Sequence, residues 1–213
     1  MIDCMRLLRI TFSIAPARGR NVMYLDLIVQ IVAAVLWLGA EAYLILRDGA
    51  HKKGGTEIDR RTRNYNTIAT VVALTLAPSV SWIAALRFDS PGASVVFWIG
   101  IAVTFLGFIL RHWSIIVLGR YFRTTIELEK GQRVVQKGPY KYVRHPSYAG
   151  IILFFIGYGL LSKNWLSLAV AVCLTTASLV YRIQIEEIAL VEGLGAEYAA
   201  YQRKTKKLIP GIW

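Results

Sequence analysis

Charged residues are scarce in this chain, 18% of 213, and acids are the scarcer sign: 13 Asp and Glu against 25 Lys and Arg. A soluble domain of this length hides its core under a charged surface, and too little charge is present for that. Instead, 55% of the residues are hydrophobic, mean hydropathy is +0.47, and the charges gather in blocks between apolar runs long enough to cross a bilayer. Cysteine is nearly absent. Cys4 and Cys173 lie far apart, the second inside an apolar run, which excludes a disulfide framework and a cysteine-based metal site. There are three histidines; the spacing gives neither His112 nor His145 a third ligand, and His51 belongs to another loop, so no metal is expected. No Gly-x-Gly-x-x-Gly, Walker loop or Ser-His-Asp arrangement occurs, which excludes the usual soluble cofactor folds. A net charge of +12 would point to nucleic acid in a soluble protein. Here the basic residues sit in loops and form no continuous face, so nucleic acid is excluded as a partner and the lipid bilayer takes its place.

What is present is a series of apolar segments. Residues 1–20 carry arginines at 6, 9, 18 and 20 and cannot span; Arg9 also breaks any signal-peptide core, leaving an interfacial segment or an extension ahead of Met23. Spans are expected over 22–46, 67–86 and 95–118, with Pro78 tolerated if a neighbour satisfies the carbonyl it frees, and with Arg111 and His112 at the headgroups. Residues 148–161 form a shorter apolar run, 162–164 a tight turn, and 165–181 a second arm that leaves the membrane through 182–191 before Gly193 and Gly195 end it. The fold class is therefore all-α, a polytopic bundle of about five transmembrane helices closed by a helical hairpin. The loop 47–64 has six Lys and Arg, the stretch 119–147 seven and the tail after 191 four, whereas the intervening loops have few. Positive-inside counting places the third loop and the C-terminus together on the cytoplasmic side, with the four arginines before residue 21 in conflict.

Two polar clusters then share one membrane face. In GPYKYVRHPSYAG, 138–150, Gly-Pro makes a turn and Pro146 opens a helix, so Arg144 and His145 stand at a helix N-terminus whose backbone N–H groups suit an anion. In YRIQIEEIALVEG, 181–193, Arg182 and Glu186 are four apart on one helical face with Glu187 beside them, an arrangement suited to a cationic or polar ligand. Taken singly, these features have simpler readings: an interfacial ion pair, a headgroup histidine, and an aromatic belt of Tyr140, Tyr142 and Tyr148. Their convergence on one side of one hairpin points to a pocket.

These two motifs, followed by GAEYAAYQRKTKKLIP, resemble the isoprenylcysteine carboxyl methyltransferase family of integral membrane enzymes over about residues 119–210. The resemblance implies a division into 1–118, an N-terminal segment with three spans, and 119–213, a cofactor-binding catalytic half. It implies S-adenosyl-L-methionine as cofactor, contacted by Gln136, Gly138, Tyr140, His145, Tyr148, Glu186 and Glu187. A lipophilic or prenylated carboxylate would be the methyl acceptor, with Arg144 and Arg182 near that carboxylate and Glu186 within the reacting centre. The motifs are shared more loosely by phospholipid N-methyltransferases and by NADPH-dependent membrane sterol reductases, which stand as alternatives. An amine acceptor would need a base and be repelled by a pocket arginine, so a carboxylate is favoured.

Overall fold

The computed structural model describes residues 17–49, 57–88, 92–126, 128 and 131–213. Cys4, His51 and most of the arginine-bearing N-terminal segment lie outside them. The described residues form five long helices: α1 (Ala17–Gly49), α2 (Glu57–Val80), α3 (Ala93–Leu118), α4 (Pro146–Leu161) and α5 (Trp165–Lys204), with 3-10 turns at Ala84–Leu86, Gly119–Tyr121 and Gly138–Lys141. The all-α expectation holds, and these apolar helices mark an integral membrane protein. Within a bilayer only a helix or a closed barrel satisfies every backbone group, which is why the apolar runs are helical.

By length and composition, three helical segments can cross a membrane: Leu25–Asp48, Ala93–Tyr121 and Trp165–Lys204. The other two differ from the expected spans for visible reasons. α4 has 16 residues, about 24 Å at the helical rise and short of a bilayer's ~30 Å of hydrocarbon. α2 begins at Glu57, inside what the sequence suggested was loop, and its first turns, EIDRRTRN, are charged. Glu57 and Asp59 occupy its first turn, where the helix dipole favours acids.

Pro78 lies in the last turn of α2 and cannot donate to the carbonyl of Leu74. The Tyr158 hydroxyl of α4 donates to that oxygen at 2.8 Å, so a neighbouring helix supplies the missing donor. Tyr158→Phe is expected to leave the carbonyl unsatisfied at a cost of about 1–3 kcal/mol, read as a lower thermal midpoint in detergent. An unchanged midpoint would mean that another donor replaces it.

α3 and α4 pack so closely that their backbones touch. A Cβ added at Gly107 would lie 2.3 Å from the Phe154 nitrogen, and one at Gly157 would lie 2.3 Å from the Thr104 nitrogen. Small residues are what let apolar helices approach where no hydrophobic force drives them together. Around this contact lies the core, with Trp37, Phe154, Phe155 and Tyr158 each at most 2% exposed. The turn into α5 is fixed by Asn164, whose Oδ1 accepts from the Leu166 and Ser167 N–H groups while Nδ2 donates to the Ile83 carbonyl.

Gly193 and Gly195 do not end α5 as expected. Gly193 stays helical, and Gly195, at φ 57°, ψ −132°, turns the chain, after which the helix resumes to Lys204. Only glycine adopts such a conformation without strain. Beyond the turn the last helical stretch folds back on residues 131–145: the Tyr201 hydroxyl donates to the Tyr140 carbonyl at 2.6 Å and the Val134 N–H donates to Glu197 at 3.2 Å.

Candidate functional site

The close α3–α4 contact seats the start of α4 beside Arg111. Expected at the headgroups, Arg111 is instead buried at 6% exposure, its Nε and Nη2 donating to the two oxygens of Glu41 at 2.6 and 2.7 Å and its Nη1 to Ser147 Oγ at 3.1 Å. Trp37 lies under the guanidinium. A bidentate partner is what lets an arginine remain charged away from water.

In front of α4 opens a cavity of about 120 Å³. Its lining mixes polar groups, among them Arg123, Arg133, Arg144, His145, Tyr148 and Glu186, with apolar ones, among them Leu118, Ile126, Leu128, Leu190 and Leu194. Tyr140, Tyr198 and Tyr201 also line it. Burial, with Glu186 nearby, pushes the Tyr140 phenol well above its ordinary value, so it stays a neutral hydrogen-bonding group.

Arg182 and Glu186 are linked through Tyr148. The Tyr148 hydroxyl donates to Glu186 Oε2 at 2.6 Å and accepts from Arg182 Nε at 2.9 Å, which fixes the direction of its proton. Arg182 Nη2 also donates to the Thr124 carbonyl at 2.6 Å and lies 3.7 Å from Asp59. Glu187 is occupied differently: Arg144 Nε donates to it at 2.6 Å, His145 Nε2 lies 3.2 Å away and Lys207 Nζ 3.8 Å away. Arg144 Nη1 donates to the carbonyls of Gln202 and Thr205, so this arginine ties the tail to the start of α4. The backbone N–H groups of Arg144 and His145, expected to be open to an anion, donate to the carbonyls of Lys206 and Lys207 at 2.8 and 3.0 Å. The tail, invisible to a local reading of the helix start, has taken them.

Of the residues singled out from the sequence, Tyr140, Arg144, His145, Tyr148 and Glu186 line the cavity. Arg182 and Glu187 stand behind it as buried partners, and Gln136 and Gly138 are exposed outside its lining. Sequence reasoning missed the acids that hold the cavity's roof. The Thr124 N–H donates to Asp48 at 2.7 Å and the Ile126 N–H donates to Asp59 at 2.9 Å, pinning that loop to the ends of α1 and α2. The available signal was scarcity: in an acid-poor chain, an acid at a helix end beside a basic loop has a partner to find.

Residues 98–192 match the family model of the isoprenylcysteine carboxyl methyltransferase (ICMT) family. Three curated relatives illustrate the range of this ICMT similarity. An uncharacterized protein, YpbQ, of Bacillus subtilis is 36% identical over 45% of this chain and 57% of its own length. Protein-S-isoprenylcysteine O-methyltransferase B of Arabidopsis thaliana is 30% identical over 57% of this chain and 64% of its own. The protein-S-isoprenylcysteine O-methyltransferase of Tribolium castaneum is 31% identical over 65% and 52%. The chain thus matches a little over half the length of these relatives. A solved eukaryotic intramembrane Ras methyltransferase, ICMT, aligns with a TM-score of 0.48 at 22% identity, over 98% of this chain and 91% of that one.

Proposed function

We propose that this chain is an integral membrane S-adenosylmethionine-dependent methyltransferase that esterifies the carboxylate of an isoprenylated cysteine or a similar lipophilic acceptor. One observation carries the reading: a single cavity is lined both by charged and polar groups, Tyr148 and Glu186 among them, and by apolar ones, Leu118, Leu190 and Leu194 among them. The named activity of the ICMT relatives agrees with that chemistry.

The donor set fits the cofactor. When bound, S-adenosylmethionine supplies an electrophilic methyl group on a sulfonium centre. Glu186, 27% exposed in its side chain, carries a negative charge on the cavity wall for the ligand's cationic end, whereas Glu187 already meets Arg144, His145 and Lys207. Tyr140 and Tyr198 offer aromatic faces. A carboxylate acceptor is already ionised and asks for no general base. The protein's task is then to align the two reactants and keep water out, for which the apolar lining residues and the pinned 122–126 loop are suited.

Arg144 and Arg182 both have protein acceptors, which assigns them to holding the tail and Tyr148 in place ahead of gripping the substrate directly. Positive-inside counting puts the cavity mouth and the C-terminus on the cytoplasmic side, where a water-soluble cofactor enters while an amphiphilic acceptor arrives through the lipid. Calorimetric titration of the detergent-purified protein with S-adenosylhomocysteine and, separately, NADPH tests the reading. Saturable binding of the first alone is expected; binding of NADPH alone would move the protein to the reductases.

A further inference from the structure

Charges can be paired off around the cavity, and one acid is left over. Of the arginines in and behind its lining, Arg144 has Glu187 at 2.6 Å, Arg123 has Asp48 at 3.1 Å and Arg182 has Asp59 at 3.7 Å. Arg133, also in the lining, is exposed, and water screens its charge. Glu186 is the acid that remains. Among the described residues no arginine or lysine forms an ion pair with it, and only His145 Nδ1, at 4.0 Å, comes within reach. Arg182, four residues earlier on the same helix, meets it only through the Tyr148 hydroxyl. Arg182 and Asp59 are both buried, so neither charge is screened by water, and a buried guanidinium without a carboxylate of its own draws on the nearest acid. Asp59 therefore decides how much of the Glu186 charge Arg182 consumes. It is held for that task, because its Oδ1 also accepts from the Ile126 N–H at 2.9 Å.

We infer that Asp59 is a positioning residue of the ligand site: by neutralising Arg182 from behind, it leaves the negative charge of Glu186 to a cationic group in the cavity. The inference rests on the methyltransferase reading for the identity of that group, the ammonium at the amino-acid end of the cofactor. Asp59, Arg182 and Glu186 together carry one net negative charge; without the Asp59 carboxylate they carry none, and the ammonium loses its counter-charge. Asp59 touches no ligand in this account and acts through Arg182 alone. It also gives α2, which ends ahead of the family-matched segment 98–192, a role in the site.

Asp59→Asn, Arg182→Gln and the double variant test the inference, each titrated with S-adenosylhomocysteine and with methylthioadenosine, which lacks the amino-acid end and its ammonium. Asparagine keeps an oxygen for the Ile126 N–H, so the substitution withdraws the charge and little else. Asp59→Asn is expected to weaken S-adenosylhomocysteine about 10-fold and Arg182→Gln to tighten it by a similar factor. The double variant should return to within about 3-fold of the unmodified protein, with methylthioadenosine unchanged throughout. A merely structural role gives another pattern: both single variants weaken both ligands and the double variant recovers neither. That pattern overturns the inference, as does an unchanged affinity in Asp59→Asn or a double variant as impaired as Asp59→Asn. If Asp59→Asn does not fold, Arg182→Gln decides alone, because only surplus negative charge tightens the ligand; an unchanged or weaker affinity there overturns the inference. Failure of both single variants to fold marks a structural ion pair and overturns it too. Failure of the unmodified protein to bind S-adenosylhomocysteine removes the methyltransferase reading, and this inference with it.

Discussion

Gly157→Leu is expected to abolish the folded bundle. A Cβ at this position would stand 2.3 Å from the Thr104 nitrogen, 2.4 Å from its hydroxyl and 2.7 Å from the Gly100 carbonyl. These are two backbone atoms and a hydroxyl that itself donates to Gly100, so no flexible side chain can move aside. Accommodating leucine would require α3 and α4 to separate by more than an ångström. That would open the core around Phe154 and Tyr158 and draw Arg111 away from Ser147. Overpacking that side chains can absorb costs about 1–3 kcal/mol; a substitution that must push a pair of helix backbones apart belongs to the severe tail, above about 4 kcal/mol. Monodisperse yield in detergent and the thermal midpoint read the result. A leucine variant that purifies and melts like the unmodified protein would show that the helices do not approach as described.

Glu186→Gln should separate binding from stability. The substitution keeps shape and an oxygen that can accept from Tyr148, so the Arg182–Tyr148 arrangement has no reason to collapse. It removes the negative charge that the cavity wall offers to a cation. Losing one charge-assisted contact is worth about 1.5–3 kcal/mol, so affinity for S-adenosylhomocysteine should fall about 10- to 100-fold with little change in melting temperature. Calorimetry and a thermal scan on the same preparation decide it. Undiminished affinity would remove Glu186 from the ligand site, and a lower melting temperature with undiminished affinity would make the residue an ordinary interfacial acid.

Some of this arrangement was legible because its cause is local. Pro146 marks the start of α4, and Asn164 and Trp165 mark the turn into α5, since a proline at the first helical position and a capping side chain act within a few residues. The shared neighbourhood of Tyr148 and Glu186 follows from two helices joined by a three-residue turn. Other features were not legible for an equally definite reason. Whether Gly195 stops a helix or turns it depends on what the following residues pack against, and here Tyr201 and Glu197 find partners in the 131–145 segment. Arg111 reads as a headgroup residue until Glu41, seventy positions earlier, is placed beside it.

The sequence by itself determined that the protein is a helical membrane protein, where its apolar segments lie, and which short motifs bring charge to the bilayer's edge. Hydropathy and capping act over one helix length, so composition and spacing suffice for that. Only the tertiary structure decided which charges answer one another. Arg144 goes to Glu187 and the tail, Arg182 to Tyr148 and the loop, and Arg111 to Glu41 and Ser147, while Glu186 lines the cavity. Ion pairs and hydrogen bonds are made or lost within about an ångström, a scale set by how closely α3 and α4 can approach.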